Sequence, residues 1–185
     1  MKLAVGAMHE ADEERLKFAK QLGIDYVIVH TPELRGDGYW EYQDLLMLRQ
    51  RIEGFGLKLW AIECIPVRFY DKIMQGRPGR DEQIEKVCKT IRNMGRAGIT
   101  RLAYHWALLG VAYRTGFTPT GRGGAWVTNY NHELVRNAPI ADIGAFDDET
   151  VWANLIYFLK AVLPVAEQEG VMLGMHPSDP PVPSI

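Results

Sequence analysis

Four times along the chain a glycine closes a helical pattern and an apolar residue opens a short hydrophobic run: Gly23-Ile24, Gly56-Leu57, Gly98-Ile99 and Gly170-Val171. Glycine suits the left-handed position just past a helix, where the chain turns into a strand. A chain punctuated in this way alternates strand and helix, and few folds do that. Ile84, Val87, Cys88, Ile91 and Met94 follow the i, i+3, i+4, i+7 spacing of one buried helix face. Trp152, Leu155, Ile156, Leu159 and Leu163 repeat it, with Asp148 as N-cap and Pro164 expected to kink or break the helix. Asp12 to Leu22 and Tyr39 to Phe55 predict two earlier helices. The predicted strands are Leu3 to Ala7, Tyr26 to Val29, Leu59 to Ile62, Arg101 to Tyr104 and Val171 to Met175. None alternates cleanly, which suits parallel strands buried on both faces.

Two architectures fit such alternation. A doubly wound dinucleotide fold should carry a Gly-rich fingerprint after its first strand, but this chain reads GAMHEADEE there. A barrel places polar residues at the C-terminal ends of several strands, and that pattern is present. The fold expected is α/β, a (β/α)8 barrel of the TIM type, incomplete at about five strand-helix units. At 185 residues the chain fits one such domain, 1–185. A net charge of −2 gives no basic excess for nucleic acid and no charge block for an anionic membrane. The N-terminus turns acidic too early for a secretory or membrane segment, so the expected location is the cytoplasm. Cys64 and Cys88 lack metal-type spacing and read as reduced, small hydrophobes.

Reading just past each apolar run gives His9, His30, Glu63, His105 and His176. Any one of these could be a hydrogen-bonded residue at a core boundary. Placed together on one face, imidazoles and a carboxylate suit a divalent ion such as Mn²⁺, Zn²⁺ or Fe²⁺. Between the fourth strand and fourth helix a long segment, 107–146, holds Arg114, Arg122, Trp126, Asn129, Tyr130, His132 and Arg136. Its length and aromatics suit a cover over the site. Its arginines are either carboxylate clamps or solvated surface charges. In GMHPSDPP, residues 174–181, three prolines restrict the backbone around Asp179.

The stretches IECIPVRFYDKIMQGRPGRDEQIEKVCKTIRNMGRAGI and WANLIYFLKAVLPVAEQEGVMLGMHPSDPP resemble the mannonate dehydratase family, which sits among the xylose-isomerase-like barrels. The resemblance implies an Mn²⁺-dependent dehydration of D-mannonate to 2-keto-3-deoxy-D-gluconate. It makes His176 a metal ligand, so the prolines would stiffen the turn that presents it. His105 and Glu63 are candidates for supporting catalytic roles. Arg114 would orient the substrate carboxylate, with Tyr104, Asp179 and His30 as further substrate contacts. The family usually reads Tyr-Asn-Phe-Met-Pro after the fourth strand and Asp-Trp-Thr-Arg-Thr soon after. Here YHWALLGVAYRT keeps Tyr104, Arg114 and Thr115, while His105 replaces the asparagine and Val111 the aspartate. Ser178 also replaces a frequent aspartate. The family's other metal ligands belong to a C-terminal part not found in these 185 residues, so the chain reads as the first half to two-thirds of an enzyme. A small sugar acid is the expected partner and a homo-oligomer the expected assembly. The alternatives are a sugar isomerase or epimerase on the same barrel, and a catalytically incomplete fragment that binds a partner through its exposed sheet.

Overall fold

The computed structural model describes residues 2–109 and 113–182. Val111, where the chain departs from the family pattern, lies outside the described residues. Strands β1 (Ala4–Met8), β2 (Tyr26–His30), β3 (Lys58–Glu63), β4 (Arg101–His105) and β7 (Met172–His176) form one parallel sheet in that spatial order. The order never doubles back about β1, so the sheet is part of a barrel and not a doubly wound fold. Four longer helices connect the strands: α1 (Glu13–Gln21), α2 (Tyr42–Gly54), α4 (Arg80–Arg96) and α5 (Asp148–Gln168). A short α3 (Asp71–Met74) precedes α4. The four predicted glycines all take positive φ, between 65° and 74°, where a side chain would be strained. No described helix is long and apolar enough to cross a membrane.

The core lies between the sheet and its helices. Leu16 and Ala19 of α1 meet Val27 and Val29 of β2 and Ile52 of α2. A larger cluster joins Ile62, Leu102 and Tyr104 to the predicted stripe of α4 and to Leu155, Phe158, Val162 and Ala166 of α5. Two polar side chains on α4 complete the joint with the segment before α2. The Trp40 amide donates to Thr90 Oγ1 at 3.1 Å, and Asn93 Nδ2 donates to the Trp40 carbonyl at 2.8 Å.

The helix α5 differs from its predicted form. Its N-cap is Asp147, whose carboxylate accepts from the Thr150 amide at 2.7 Å, and not Asp148. Pro164 does not break it: the helix runs on to Gln168. Both Pro164 and Lys160, the residue whose carbonyl loses its helical donor, are exposed, so water can satisfy that carbonyl. The buried stripe is also rotated. Trp152, Ile156 and Leu163 are 59%, 46% and 42% exposed, while Asn154 faces inward and donates to the Met74 carbonyl at 3.0 Å.

Strand phasing decides which side chains reach the inner face of the sheet. In β3, Leu59 and Ile62 both pack outward against the core although they stand three residues apart. A register irregularity opposite Val27 and Ile28 accounts for it, because Val27 pairs with Leu59 but Ile28 pairs with Ala61. The extra residue resets the alternation, so Trp60 and Glu63 both turn to the inner face. In β1, Val5 and Met8 pack outward across a similar irregularity, which carries His9 inward. The missing alternation therefore reflects these bulges more than burial on both faces.

The predicted covering segment contains a two-stranded hairpin, β5 (Gly116–Thr118) with β6 (Val127–Asn129). Most of its residues are exposed.

Candidate functional site

The inner face is graded along the strands. At the N-terminal ends Tyr26 and Trp60 meet edge to face at 5.0 Å, with the Arg101 guanidinium 3.7 Å above the Trp60 ring and Lys2 over both rings. This aromatic–cation layer forms a floor. At the C-terminal ends His30 stands level with Glu63 and His105 level with His176. Their charges act on one another: Glu63 and His176 both influence His30, and His176 and His30 both influence His105. The His9 ring packs 4.5 Å from the His30 ring. His30, Glu63, His105 and His176, with His9 beside them, thus lie on one face of the sheet.

His105 is only 2% exposed, and its Nδ1 has no hydrogen-bond partner. Burial, reinforced by His176 and His30, lowers its pKa to about 4. It is therefore a neutral imidazole at neutral pH. Tyr70, which the sequence did not flag, packs edge-on at 5.6 Å and accepts from the His105 amide at 3.4 Å. His30 is also shifted down, chiefly by burial, with Glu63 pulling the other way, and its buried Nδ1 is also unpartnered. Directly after these strand ends, Thr31 and Cys64 take positive φ of 39° and 63°. Non-glycine residues rarely do so except where the surroundings hold them. Here the Thr31 amide donates to the Glu63 carbonyl at 2.8 Å and the Cys64 amide to the Ala103 carbonyl at 3.0 Å.

His176 Nδ1 lies 2.7 Å from the Pro177 carbonyl. A carbonyl only accepts, so Nδ1 carries the proton, and in the neutral ring Nε2 then holds the lone pair a metal would use. One such donor does not make a metal site. Among the described residues no three His, Cys, Asp or Glu side chains are grouped to hold an ion. The donors present here fit at most part of a coordination sphere.

Three expected substrate contacts are otherwise engaged. Tyr104 does not reach the inner face. Strand alternation turns it outward between Ala103 and His105, and its ring packs at 5.6 Å against Phe158. Arg114 and Asp179 are paired with each other, the guanidinium donating to both carboxylate oxygens at 2.9 and 2.5 Å. Neither stands as a free clamp. No spacing rule marks Tyr70 or the His9–His30 contact, because both arise from the bulges and from the turn after β3.

Several known proteins share this arrangement in sequence or fold. A mannonate dehydratase from Streptococcus pneumoniae (strain 70585) is 34% identical over 166 residues, covering 77% of this chain and 45% of the relative. The solved mannonate dehydratase of Streptococcus suis serotype 2 superposes with a TM-score of 0.86 at 29% identity, over 98% of this chain and 54% of that one. D-psicose 3-epimerase from Clostridium cellulolyticum H10 shares the fold alone, with a TM-score of 0.55 at 14% identity over 94% of this chain and 51% of that one. The chain thus spans about half the length of the relatives it matches. The family model for D-mannonate dehydratase (UxuA) matches residues 1–144 and 140–185. Matched from end to end, the chain belongs to the D-mannonate dehydratase family.

Proposed function

We propose that the inner strand ends are one part of the active site of a hydro-lyase that dehydrates a sugar acid, D-mannonate to 2-keto-3-deoxy-D-gluconate. The observation that carries this reading is the gathering of His30, Glu63, His105 and His176 on one face in a member of this family. The reaction removes the C2 proton beside a carboxylate and expels the C3 hydroxyl, so negative charge must be stabilised as it develops. A divalent cation, Mn²⁺ in this proposal, supplies that stabilisation when bound. Of the donors it needs, His176 would be one, and the described residues bring no full set together.

The chain's own residues do more modest work. Glu63 and His30, level with each other, give a carboxylate–imidazole pair that can hold or pass a proton. His105 offers a neutral imidazole in dry surroundings, suited to hydrogen bonding with a substrate hydroxyl. The aromatic–cation floor lines the far end of the inner face. The same reading takes a small sugar acid as partner and a cytoplasmic homo-oligomer as the working form.

The test is a chimera in which residues 1–182 replace the matching portion of the Streptococcus suis enzyme, incubated with D-mannonate and Mn²⁺. Formation of a keto-deoxy acid, lost in His176→Ala, is the expected result. An isomeric sugar acid of unchanged composition would favour an isomerase. No product from a folded chimera would remove the proposal. The 185-residue chain alone is expected to form none, since a single imidazole cannot hold the ion in catalytic geometry.

A further inference from the structure

Asp179 follows β7 and is gripped from the segment leading into β5. The Tyr113 amide donates to its carbonyl at 3.0 Å, while Arg114 Nη1 and Nη2 reach its two carboxylate oxygens at 2.9 and 2.5 Å. Arg114 is itself braced. Its Nε donates to Thr128 Oγ1 on β6 at 3.1 Å, and its Nη1 also donates to the Tyr113 carbonyl at 3.1 Å. The adjacent Thr115 amide donates to the Asn129 carbonyl at 2.9 Å, and its hydroxyl accepts from the Asn131 amide at 2.6 Å. The guanidinium is thus a rigid connector between the hairpin and the segment after β7.

That segment is short and stiff. Only Pro177 and Ser178 separate His176 from Asp179, and Pro177 and Pro180 fix φ at two positions and restrict the residues before them. With so few free torsions, fixing Asp179 also fixes the Pro177 carbonyl that holds His176 Nδ1 at 2.7 Å. An exposed ion pair adds little to stability, so the consequence of this one is directional. A guanidinium bound in bidentate fashion sets the plane of the carboxylate, which a lysine cannot do.

We propose that Arg114 is a positioning residue: acting through Asp179, it locks the 176–179 turn and holds His176 in the tautomer that leaves Nε2 free. The reassignment moves Arg114 and Asp179 from substrate contact to support of His176, and it rests on the reading of the inner strand ends as the working site.

The experiment is long-range ¹H–¹⁵N spectroscopy of the His176 ring in the ¹⁵N-labelled 185-residue chain, without metal or substrate, at about pH 8, where an ordinary imidazole is neutral. The wild type should show Nδ1 protonated and Nε2 bare. Arg114→Ala, Arg114→Lys and the near-isosteric Asp179→Asn should each lose that signature and move toward a mixture dominated by the Nε2–H form. Their sheet amide spectra should stay unchanged, which reports that the fold is intact. Retention of the Nδ1–H form in folded Arg114→Lys and Asp179→Asn would overturn the proposal, as would an Nε2–H ring in the wild type. Because the readout needs no turnover, its failure is separate from that of the dehydration reading, which would show as a missing keto-deoxy acid with this tautomer intact.

Discussion

His105 carries a cost that pH can read. Its folded pKa is near 4, whereas an unfolded histidine titrates near 6.5, so the unfolded chain takes up the proton first. The stabilisation from keeping it neutral is fully present above about pH 6.5 and is lost as pH falls toward 4, a span of about 3 kcal/mol. His30 shifts in the same direction and steepens the loss. Urea unfolding at pH 7.5 and pH 5 should therefore show a marked drop in stability, and His105→Asn should flatten that dependence. Equal slopes in both proteins would place the sensitivity elsewhere. Cys64 gives a second check at this scale. Burial, helped by the neighbouring Glu63 carboxylate, pushes its thiol up to about 11, so in the folded chain it should resist alkylation at pH 8. Rapid labelling without unfolding would contradict its burial. These environments were only half legible in the sequence. Strand-end position marked His30, Glu63, His105 and His176, and alternation with an inward His105 already turns Tyr104 outward, but nothing in the residue order revealed Tyr70 against His105.

At the scale of elements, α4 and α5 show when periodicity suffices. The α4 stripe is read correctly because its apolar residues fall on one face and charged residues fill the other. In α5 apolar residues surround much of the helix, so spacing could not choose among the possible faces. The tie is broken by Asn154, a polar residue bonded inward to the Met74 carbonyl, and by Phe158 packed against Tyr70, Tyr104 and Trp106. Phe158→Ala should accordingly cost about 3–5 kcal/mol in chemical denaturation. Ile156→Ala, on the face the sequence favoured, should cost well under half of that. The reverse ranking would mean that α5 packs on its other face. The bulges were beyond reach for a different reason. A one-residue insertion in a strand looks in sequence like lost alternation, and a strand buried on both faces looks the same.

For the whole molecule, the alternation of strand and helix and the sequential strand order were legible from four glycines and five apolar runs. The hairpin of β5 and β6 was not, since strands of three residues carry too little pattern to be read. The sheet has β1 at one edge and β7 at the other, and His176 lies on that second edge strand. This explains how a strand-end site can be organised yet lack a full donor set among the described residues. The proposed function requires His176, at these strand ends, to supply one donor to a bound cation. It is tested most directly by titrating Mn²⁺ into the 185-residue chain while following histidine ring signals, since paramagnetic broadening reports even weak, transient binding nearby. The His176 signal should be lost selectively and first, then those of His105 and His30, with the pattern abolished in His176→Ala. Broadening confined to exposed carboxylates, with all three ring signals intact, would contradict it.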